Sequence, residues 1–176
     1  MSEQPSRARR AAVTGGGVAA TLAVAVPLII AWEGGLRRDG SAVAYADRLA
    51  HGLPTACAGV TGNDLQGHAI VPGQRFTAAE CDQLLSRELR ARLPAIQRCL
   101  PANMPAEGLG ASLSLAYNIG TVRFCHSTAS ARFRAGNYRG GCDALTAYNR
   151  ASGRIVRGLV RRREAEKALC LRGAPL

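Results

Sequence analysis

The chain has 176 residues, which is enough for one domain with a full-sized core and one appended segment but leaves two domains crowded. Lysine and arginine together number 23 against 12 aspartate and glutamate, and such an excess attracts polyanions such as nucleic acid, anionic lipid or bacterial wall polymer. Aromatic residues make up only 5% of the chain and are not interleaved with the arginines, so stacking surfaces for single-stranded nucleic acid are not evident. We therefore expect no nucleic-acid partner.

The N-terminus predicts export across a membrane. Arg7, Arg9 and Arg10 precede an uncharged stretch, AAVTGGGVAATLAVAVPLIIAW, at residues 11–32, which is about long enough for one bilayer crossing. By the positive-inside rule the arginines stay in the cytoplasm and the chain after Trp32 is exported. We expect residues 1–32 to form a signal-anchor segment and residues 33–176 to form the exported domain.

This anchor is weak, and two alternatives stay open. Its valine, leucine and isoleucine residues supply only about 2–5 kcal/mol of insertion free energy in total, and Pro27 adds a helix defect. A cleaved signal peptide is one alternative, although Ala23–Ala25 is the only acceptable cleavage site before Glu33. A packing helix that never enters a membrane is the other.

Six cysteines all lie beyond the apolar segment, at positions 57, 81, 99, 125, 142 and 170. Export makes disulfides the expected state of these cysteines, and six cysteines allow about fifteen complete pairings, among which the sequence does not choose. Because there is no C-x-x-C motif and no cluster of histidines, we expect no zinc site, and no other metal or cofactor is indicated.

The order of the elements predicts an α+β fold. Residues 34–76 are rich in glycine, proline and short apolar runs, which indicates a small irregular β region. A capping box at Thr77 and Glu80 then opens a long helix, disturbed at Pro94. Its apolar face contains Cys81, Leu84, Leu85, Leu89, Leu93 and Ile96. Further helices are expected within residues 105–117, 127–133, 140–149 and 158–170, so that a long helix joins a small β lobe to a helical lobe.

Five segments occur in an order that resembles a known family. They are WEGG, YADRLAHGLPTACAGVTGND, FTAAECDQLL, LAYNIGTVRFCHST and GLVRRREAEKALCL. Together, from about Trp32 to Leu171, they resemble the phage-type lysozymes of glycoside hydrolase family 24, in particular endolysins of phages of Gram-negative bacteria, several of which carry a signal-anchor-release segment. The resemblance implies a lysozyme-like fold and a monomeric muramidase that cuts the β-1,4 bond between N-acetylmuramic acid and N-acetylglucosamine in peptidoglycan, with inversion, and so lyses the host cell.

Hydrolysis of a glycosidic bond requires one carboxylic acid to protonate the leaving oxygen and a second, ionised carboxylate to activate water or stabilise the transition state. Glu33 follows the end of the apolar segment, where partial burial favours the protonated acid. The resemblance makes a glutamate followed by glycine the general acid, which Glu33 and Gly34 match. The alternative is a surface glutamate that only ends the membrane segment.

The second carboxylate is assigned to Asp47 by the resemblance, with Thr55 as the hydroxyl that positions the water. YAD and GLPTAC match the pieces that carry these residues in the family, but the spacing from Glu33 is longer, which indicates a longer hairpin. Asp39 in RRDG is the competing carboxylate, flanked by arginines and expected in solvent. Alternatively, Thr55 is an ordinary strand residue without a catalytic role.

Other residues have weaker indications. Asn118 in YNIG matches a position at which the family offers a polar side chain to the sugar, although asparagine there is equally typical of a helix C-cap. The run RRRE at residues 161–164 is expected to be mainly a solvated or wall-binding face, with one arginine able to pair with Glu33. The three histidines, His51, His68 and His126, are expected in turns or at the surface.

Two other function classes compete with the muramidase. A lytic transglycosylase uses one catalytic carboxylate and leaves anhydro ends, and a membrane-tethered wall-binding protein would not need Glu33. For the muramidase we expect an inactive form tethered to the host inner membrane on its periplasmic side. Release into the periplasm would then let Leu28, Ile29 and Trp32 pack onto the domain as its first helix.

Overall fold

Seven α-helices and seven short strands, with two single-turn 3-10 helices, lie within residues 15–174, the part of the chain that the computed structural model describes. The helices are α1 Gly15–Ile30, α2 Ala78–Gln97, α3 Ala106–Ile119, α4 Thr121–Cys125, α5 Thr128–Arg134, α6 Tyr138–Ala144 and α7 Arg157–Arg172. The strands are β1 Ala42–Val43, β2 Tyr45–Asp47, β3 Leu53–Ala56, β4 Val60–Thr61, β5 Arg75–Phe76, β6 Arg150–Ala151 and β7 Arg154–Ile155. The predicted α+β order of β lobe, long helix and helical lobe is confirmed.

The β lobe is built on the three-stranded antiparallel sheet β2-β3-β4, and β1 pairs with β5 beside it. Tyr45 lies opposite Thr55, and Thr55 lies opposite Thr61. Because side chains alternate between the faces of a sheet and directly paired residues share a face, Tyr45, Asp47, Thr55 and Thr61 stand on the same face. This register is what brings the predicted aspartate and threonine together.

The long helix α2 joins the two lobes. Its capping box is present, since the Glu80 amide donates to the Thr77 hydroxyl at 3.2 Å and the Thr77 amide donates to the Glu80 carboxylate at 2.7 Å. The six residues of the predicted apolar face are all buried. The helix continues through Pro94 to Gln97, although proline lacks the amide hydrogen that would donate to the preceding turn, so the expected disturbance does not end the helix.

The helical lobe is arranged around α3, which packs against α1, α2 and α7. All residues from Gly108 to Ala116 are buried, and the glycine, alanine and serine residues among them let neighbouring helices approach closely. Gly110 lies directly under α1, where a Cβ atom would come within 2.6 Å of Val24 Cγ2. The glycine is therefore required by the contact between α1 and α3.

The predicted N-terminal apolar helix is present as α1 and is packed into this lobe. Leu22, Ala25 and Ile29 are buried in the main core, and Leu28 packs against it. None of the helices within residues 15–174 is long and apolar enough to cross a bilayer. Arg7, Arg9 and Arg10, on which the predicted orientation rests, lie outside the described residues.

Three disulfides connect all six cysteines, which confirms the expected oxidised state. The pairs are Cys57–Cys81, Cys99–Cys125 and Cys142–Cys170. Each disulfide therefore joins two cysteines that follow one another in the sequence. The first pair fastens the β lobe to α2, and the third fastens α6 to α7.

The short helix α4 and the hairpin β6–β7 were not expected from the sequence. The hairpin turns at Ser152 and Gly153, which both have positive φ. Both elements have too few residues to develop a hydrophobic period.

We expect Gly110→Ala to lower the free energy of unfolding by about 1–3 kcal/mol, as overpacking of a close helix contact does. The new methyl group would meet Val24 and, at 3.4 Å, the carbonyl of Thr21. Chemical denaturation measures the change. Gly158→Ala in α7 is the matched control, because nothing lies within 4 Å of its Cβ position, and we expect it to be neutral or stabilising. Equal stability of Gly110→Ala and the native chain would contradict the described packing of α1 on α3.

We expect thiol titration of the denatured, unreduced protein to detect no free thiol and, after reduction, all six cysteines. Replacing both cysteines of a pair with serine should cost on the order of 2–4 kcal/mol through loss of the restriction on the unfolded chain. Cys142–Cys170, which is buried at both ends, is the clearest pair to test. Free thiols in the unreduced protein would show that the pairing is incomplete.

Candidate active site

Glu33 is placed by the end of α1. Its backbone amide donates to the carbonyl of Ile29 at 2.9 Å, which continues the helical pattern beyond Ile30. Ile29 is fully buried, so the packing of α1 fixes the position of the glutamate backbone. The Glu33 side chain is 22% exposed and reaches a cleft between the two lobes.

This cleft has a volume of about 410 Å³. Its lining consists of Glu33, Gly34, Gly35, Tyr45, Asp47, Ala50, Thr55, Gly59 and Thr61. One wall is therefore the turn that follows α1, and the other is the shared face of the β2-β3-β4 sheet. The structure brings all three predicted catalytic side chains, Glu33, Asp47 and Thr55, to the same cleft.

Thr55 is 3% exposed at the base of this sheet face. Its hydroxyl donates to the carbonyl of Leu53 at 3.0 Å. Because a hydroxyl has one hydrogen to donate and two lone pairs that accept, this bond leaves the Thr55 oxygen oriented as an acceptor. A water molecule in the cleft can donate to it.

Asp39, the competing carboxylate, lies elsewhere. It is exposed, outside the lining of the cleft, and its carboxylate accepts hydrogen bonds from the Ser41 hydroxyl at 2.7 Å and the Ser41 amide at 3.0 Å. These bonds from Ser41 lower the pKa of Asp39. The carboxylate closes a turn in the loop before β1 and does not face Glu33 across the cleft.

An arginine does pair with Glu33, as expected, and it is Arg162. Its Nη1 atom donates to Glu33 Oε1 at 2.6 Å, a charge-assisted bond of the strong kind. The expectation of a mainly solvated run at residues 161–164 is wrong for half of it. Arg162 and Arg163 are buried, while Arg161 and Glu164 are exposed, because this turn of α7 faces α3.

A buried acidic residue lies behind the two arginines. Glu166 is fully buried, 3.3 Å from Arg162 Nε and 3.2 Å from Arg163 Nε. The Ser114 hydroxyl of α3 donates to the same carboxylate at 2.7 Å. Burial raises the pKa of Glu166, and the two guanidinium groups oppose that rise. Sequence reasoning missed Glu166, although its spacing of three and four residues from the arginines on one helix was a usable signal.

Asn118 is exposed near the end of α3 and lies outside the lining of the cleft. Its side-chain oxygen accepts a hydrogen bond from Arg163 Nη2 at 3.2 Å. The residue that caps α3 is Gly120, whose amide donates to the Ala116 carbonyl. The alternative role of Asn118 as the helix C-cap is therefore not what the structure shows.

Tyr117 was not identified from the sequence and connects the two lobes. Its hydroxyl donates to the carbonyl of Ala58 at 2.9 Å, next to Gly59 in the cleft lining, and the Arg92 guanidinium lies 5.3 Å from the ring centroid. Burial raises the pKa of Tyr117 to about 12, and the nearby Glu33 adds to the rise. No local pattern indicates such a contact, because its partner is far away in the sequence.

The histidines lie where they were expected. His51 has a positive φ in the turn before β3, and His126 follows the end of α4. Both are exposed, as is His68, and none of the three lines the cleft.

Comparison with known proteins identifies relatives over most of the chain. Residues 35–166 match the family model for phage lysozyme. The chain is 35% identical to the SAR-endolysin of Enterobacteria phage P21 over 164 residues, which cover 93% of each protein. It is 36% identical to the SAR-endolysin of Bacteriophage PS119 over 122 residues, which cover 69% of this chain and 70% of that protein.

Solved structures of similar proteins have the same fold. A crystal structure of P22 lysozyme aligns with a TM-score of 0.67 and 26% identity, over 90% of this chain and 97% of that one. The active form of the P1 phage endolysin aligns with a TM-score of 0.67 and 25% identity, over 92% of this chain and 90% of that one. The expected lysozyme-like fold is confirmed.

Proposed function

The chain belongs to the phage lysozyme family and is an endolysin that cleaves peptidoglycan and lyses the host cell, and we propose that it does so as a hydrolase with Glu33 as general acid. The bond cut is the β-1,4 linkage between N-acetylmuramic acid and N-acetylglucosamine. The observation that carries this proposal is the meeting of Glu33, Asp47 and Thr55 in one cleft between the lobes.

The proposed reaction has two carboxylates in different roles. Glu33 donates its proton to the glycosidic oxygen of the leaving sugar, while ionised Asp47 accepts a proton from a water molecule that attacks the anomeric carbon from the opposite face. The Thr55 oxygen accepts the other hydrogen of this water, which orients it. Attack by water from the opposite face inverts the anomeric configuration.

A lytic transglycosylase is supported less well by this arrangement. That reaction needs no activated water, because the sugar's own hydroxyl closes the anhydro ring. In this chain an aspartate and a buried threonine hydroxyl line the cleft together with Glu33, which is the set that water activation needs. A wall-binding protein without catalysis has no use for an acid in the cleft.

Asn118 is proposed as a contact to the sugar chain. Because Arg163 donates to its side-chain oxygen, the two amide hydrogens are turned away from the arginine and can donate to a hydroxyl or acetamido oxygen of the glycan. The formal net charge of +11 supports attraction of the released enzyme to the anionic wall.

We also propose that residues 1–32 tether the chain to the host inner membrane, with residues 33–176 as the catalytic domain on the periplasmic side. The relatives that are named SAR-endolysins support this. If α1 spanned the bilayer, Ala25 and Ile29 could not occupy the core, and Glu33 would leave its position opposite Asp47. The tethered form is therefore inactive, and release with packing of α1 assembles the cleft.

We expect Glu33→Gln to abolish hydrolysis of purified peptidoglycan, because glutamine is nearly isosteric but cannot donate the required proton. Asp47→Asn should lower activity far more than Asp39→Asn, which serves as the matched control in the same lobe. Turbidity loss measures the rate, and mass analysis of the fragments separates reducing ends from anhydro ends.

Two results would contradict these assignments. Inactivation by Asp39→Asn with an active Asp47→Asn would exchange the roles of the two aspartates. Anhydro ends as the main product would replace hydrolysis by the transglycosylase reaction, even if Glu33→Gln were inactive.

The tether is tested by replacing Gly15, Gly16 and Gly17 with leucine, which adds roughly 1–2 kcal/mol of insertion free energy. We expect the variant to stay in the membrane fraction and to lyse the host late or not at all. Gly158→Leu adds a leucine outside this segment and should leave the lysis time unchanged. Lysis on the native schedule, or periplasmic protein that lacks the segment, would favour a cleaved signal peptide.

A further inference from the structure

A fully buried ionic cluster lies directly behind the proposed general acid. Arg162 is 3% exposed, and Arg163 and Glu166 are 0% exposed. Charged side chains are almost never buried to this extent unless they are paired. Replacing a buried ion group by well-packed apolar residues is often neutral or stabilising, so the stability of the fold does not by itself call for these three charges.

The connections in this cluster run from Glu166 outward. The Glu166 carboxylate lies against the Nε edges of both guanidinium groups, at 3.3 Å from Arg162 and 3.2 Å from Arg163. The Ser114 hydroxyl anchors the carboxylate to α3 at 2.7 Å. Each guanidinium thus contacts Glu166 through its Nε edge, and one terminal nitrogen of each reaches a residue outside the cluster.

The two residues reached in this way are both proposed site residues. Arg162 Nη1 donates to Glu33 at 2.6 Å, and Arg163 Nη2 donates to Asn118 at 3.2 Å. Because both guanidinium groups are held by one carboxylate, a shift of Glu166 would move the contact to the acid and the contact to the proposed sugar ligand together.

The charge of Glu166 also matters for the proton on Glu33. A guanidinium beside a carboxyl group favours its ionised form, whereas a general acid must carry a proton. Without counting Glu33, the cluster holds two positive charges and one negative charge, a net charge of +1. Of the other groups that face Glu33, Asp47 across the cleft adds a negative charge that is the same in every variant below, Tyr117 is neutral below its raised pKa of about 12, and Arg92 pairs with Glu88.

We propose that Glu166 is a positioning residue for the cleavage reaction, which aims Arg162 at Glu33 and Arg163 at Asn118 and offsets one of the two positive charges beside the acid. This inference rests on the proposed role of Glu33 as general acid. Glu166 does not touch the substrate and acts through the two arginines.

The test is a series of charge variants of the full-length released protein, assayed for kcat and KM on solubilised glycan strands across pH. Glu166→Gln raises the net charge of the cluster to +2, and Arg163→Gln lowers it to zero. We expect the alkaline limb of the kcat/KM profile to move to lower pH by about one unit in Glu166→Gln and to higher pH in Arg163→Gln. The double variant restores +1 and should return the limb toward its native position.

A shift of one unit corresponds to a loss of about tenfold in kcat/KM on the alkaline side. Arg163→Gln should also raise KM, because Asn118 loses its partner. One control leaves the charges of the cluster unchanged. Asp143→Asn breaks a surface ion pair between α6 and Lys167 of α7 and should not move the limb.

Coincident limbs for the native chain and all folded charge variants would overturn the proposal while leaving Glu33 as general acid. If Glu166→Gln does not fold, as judged by circular dichroism, Arg163→Gln and the double variant still make the comparison. If all three charge variants failed to fold, the cluster would have a purely structural role, and the proposal would also be overturned. An active Glu33→Gln, by contrast, would refute the proposed function itself.

Discussion

The packing of α1 on α3 is the contact on which the rest of the site depends. Ala25 and Ile29 are fully buried, and the carbonyl of Ile29 accepts the amide of Glu33. The helix and the acid are therefore one rigid unit, and Gly110 provides the space that this unit needs against α3. Any process that removes α1 from α3 also removes Glu33 from the cleft, which is the geometric basis of the proposed control of activity by the location of the helix.

The second wall of the cleft depends on connections between the lobes. The β lobe has its own small core, which shares Cys81 and Leu84 with α2, and the Cys57–Cys81 disulfide adds a covalent link. Tyr117 contributes a hydrogen bond from α3 to the carbonyl of Ala58. These links hold the sheet face that carries Asp47 opposite Glu33. A small lobe of short strands could not hold this position alone, because few strand hydrogen bonds support it.

Buried charge is arranged here for orientation and not for stability alone. Removing one partner from a buried ion group leaves an uncompensated charge, which is far more costly than the net gain from the intact group. The cluster of Arg162, Arg163 and Glu166 therefore has few alternative arrangements at low energy. Such a cluster restricts the geometry beside Glu33 and Asn118, two residues that come from separate elements of the helical lobe.

Local pattern determined much of the fold. The capping box and period of α2 and the helices at α3 and α7 follow from residue spacing, because capping and amphipathic periods depend on neighbours a few positions apart. Glu33, Asp47 and Thr55 were proposed as site residues from short motifs that match a family. The lengthened spacing between Glu33 and Asp47 left Asp39 open as an alternative, which sequence could not remove.

Only the tertiary structure decided which of these residues meet. It separated Asp39, held in its own turn by Ser41, from Asp47 in the cleft, and it paired each cysteine with one partner. It also turned Arg162 and Arg163 inward, although a run of charges is ordinarily typical of a solvated helix face. The physical reason is that burial and pairing are set by the groups packed against a side chain, here α3 and Glu33 against α7, and those contacts join residues far apart in the chain.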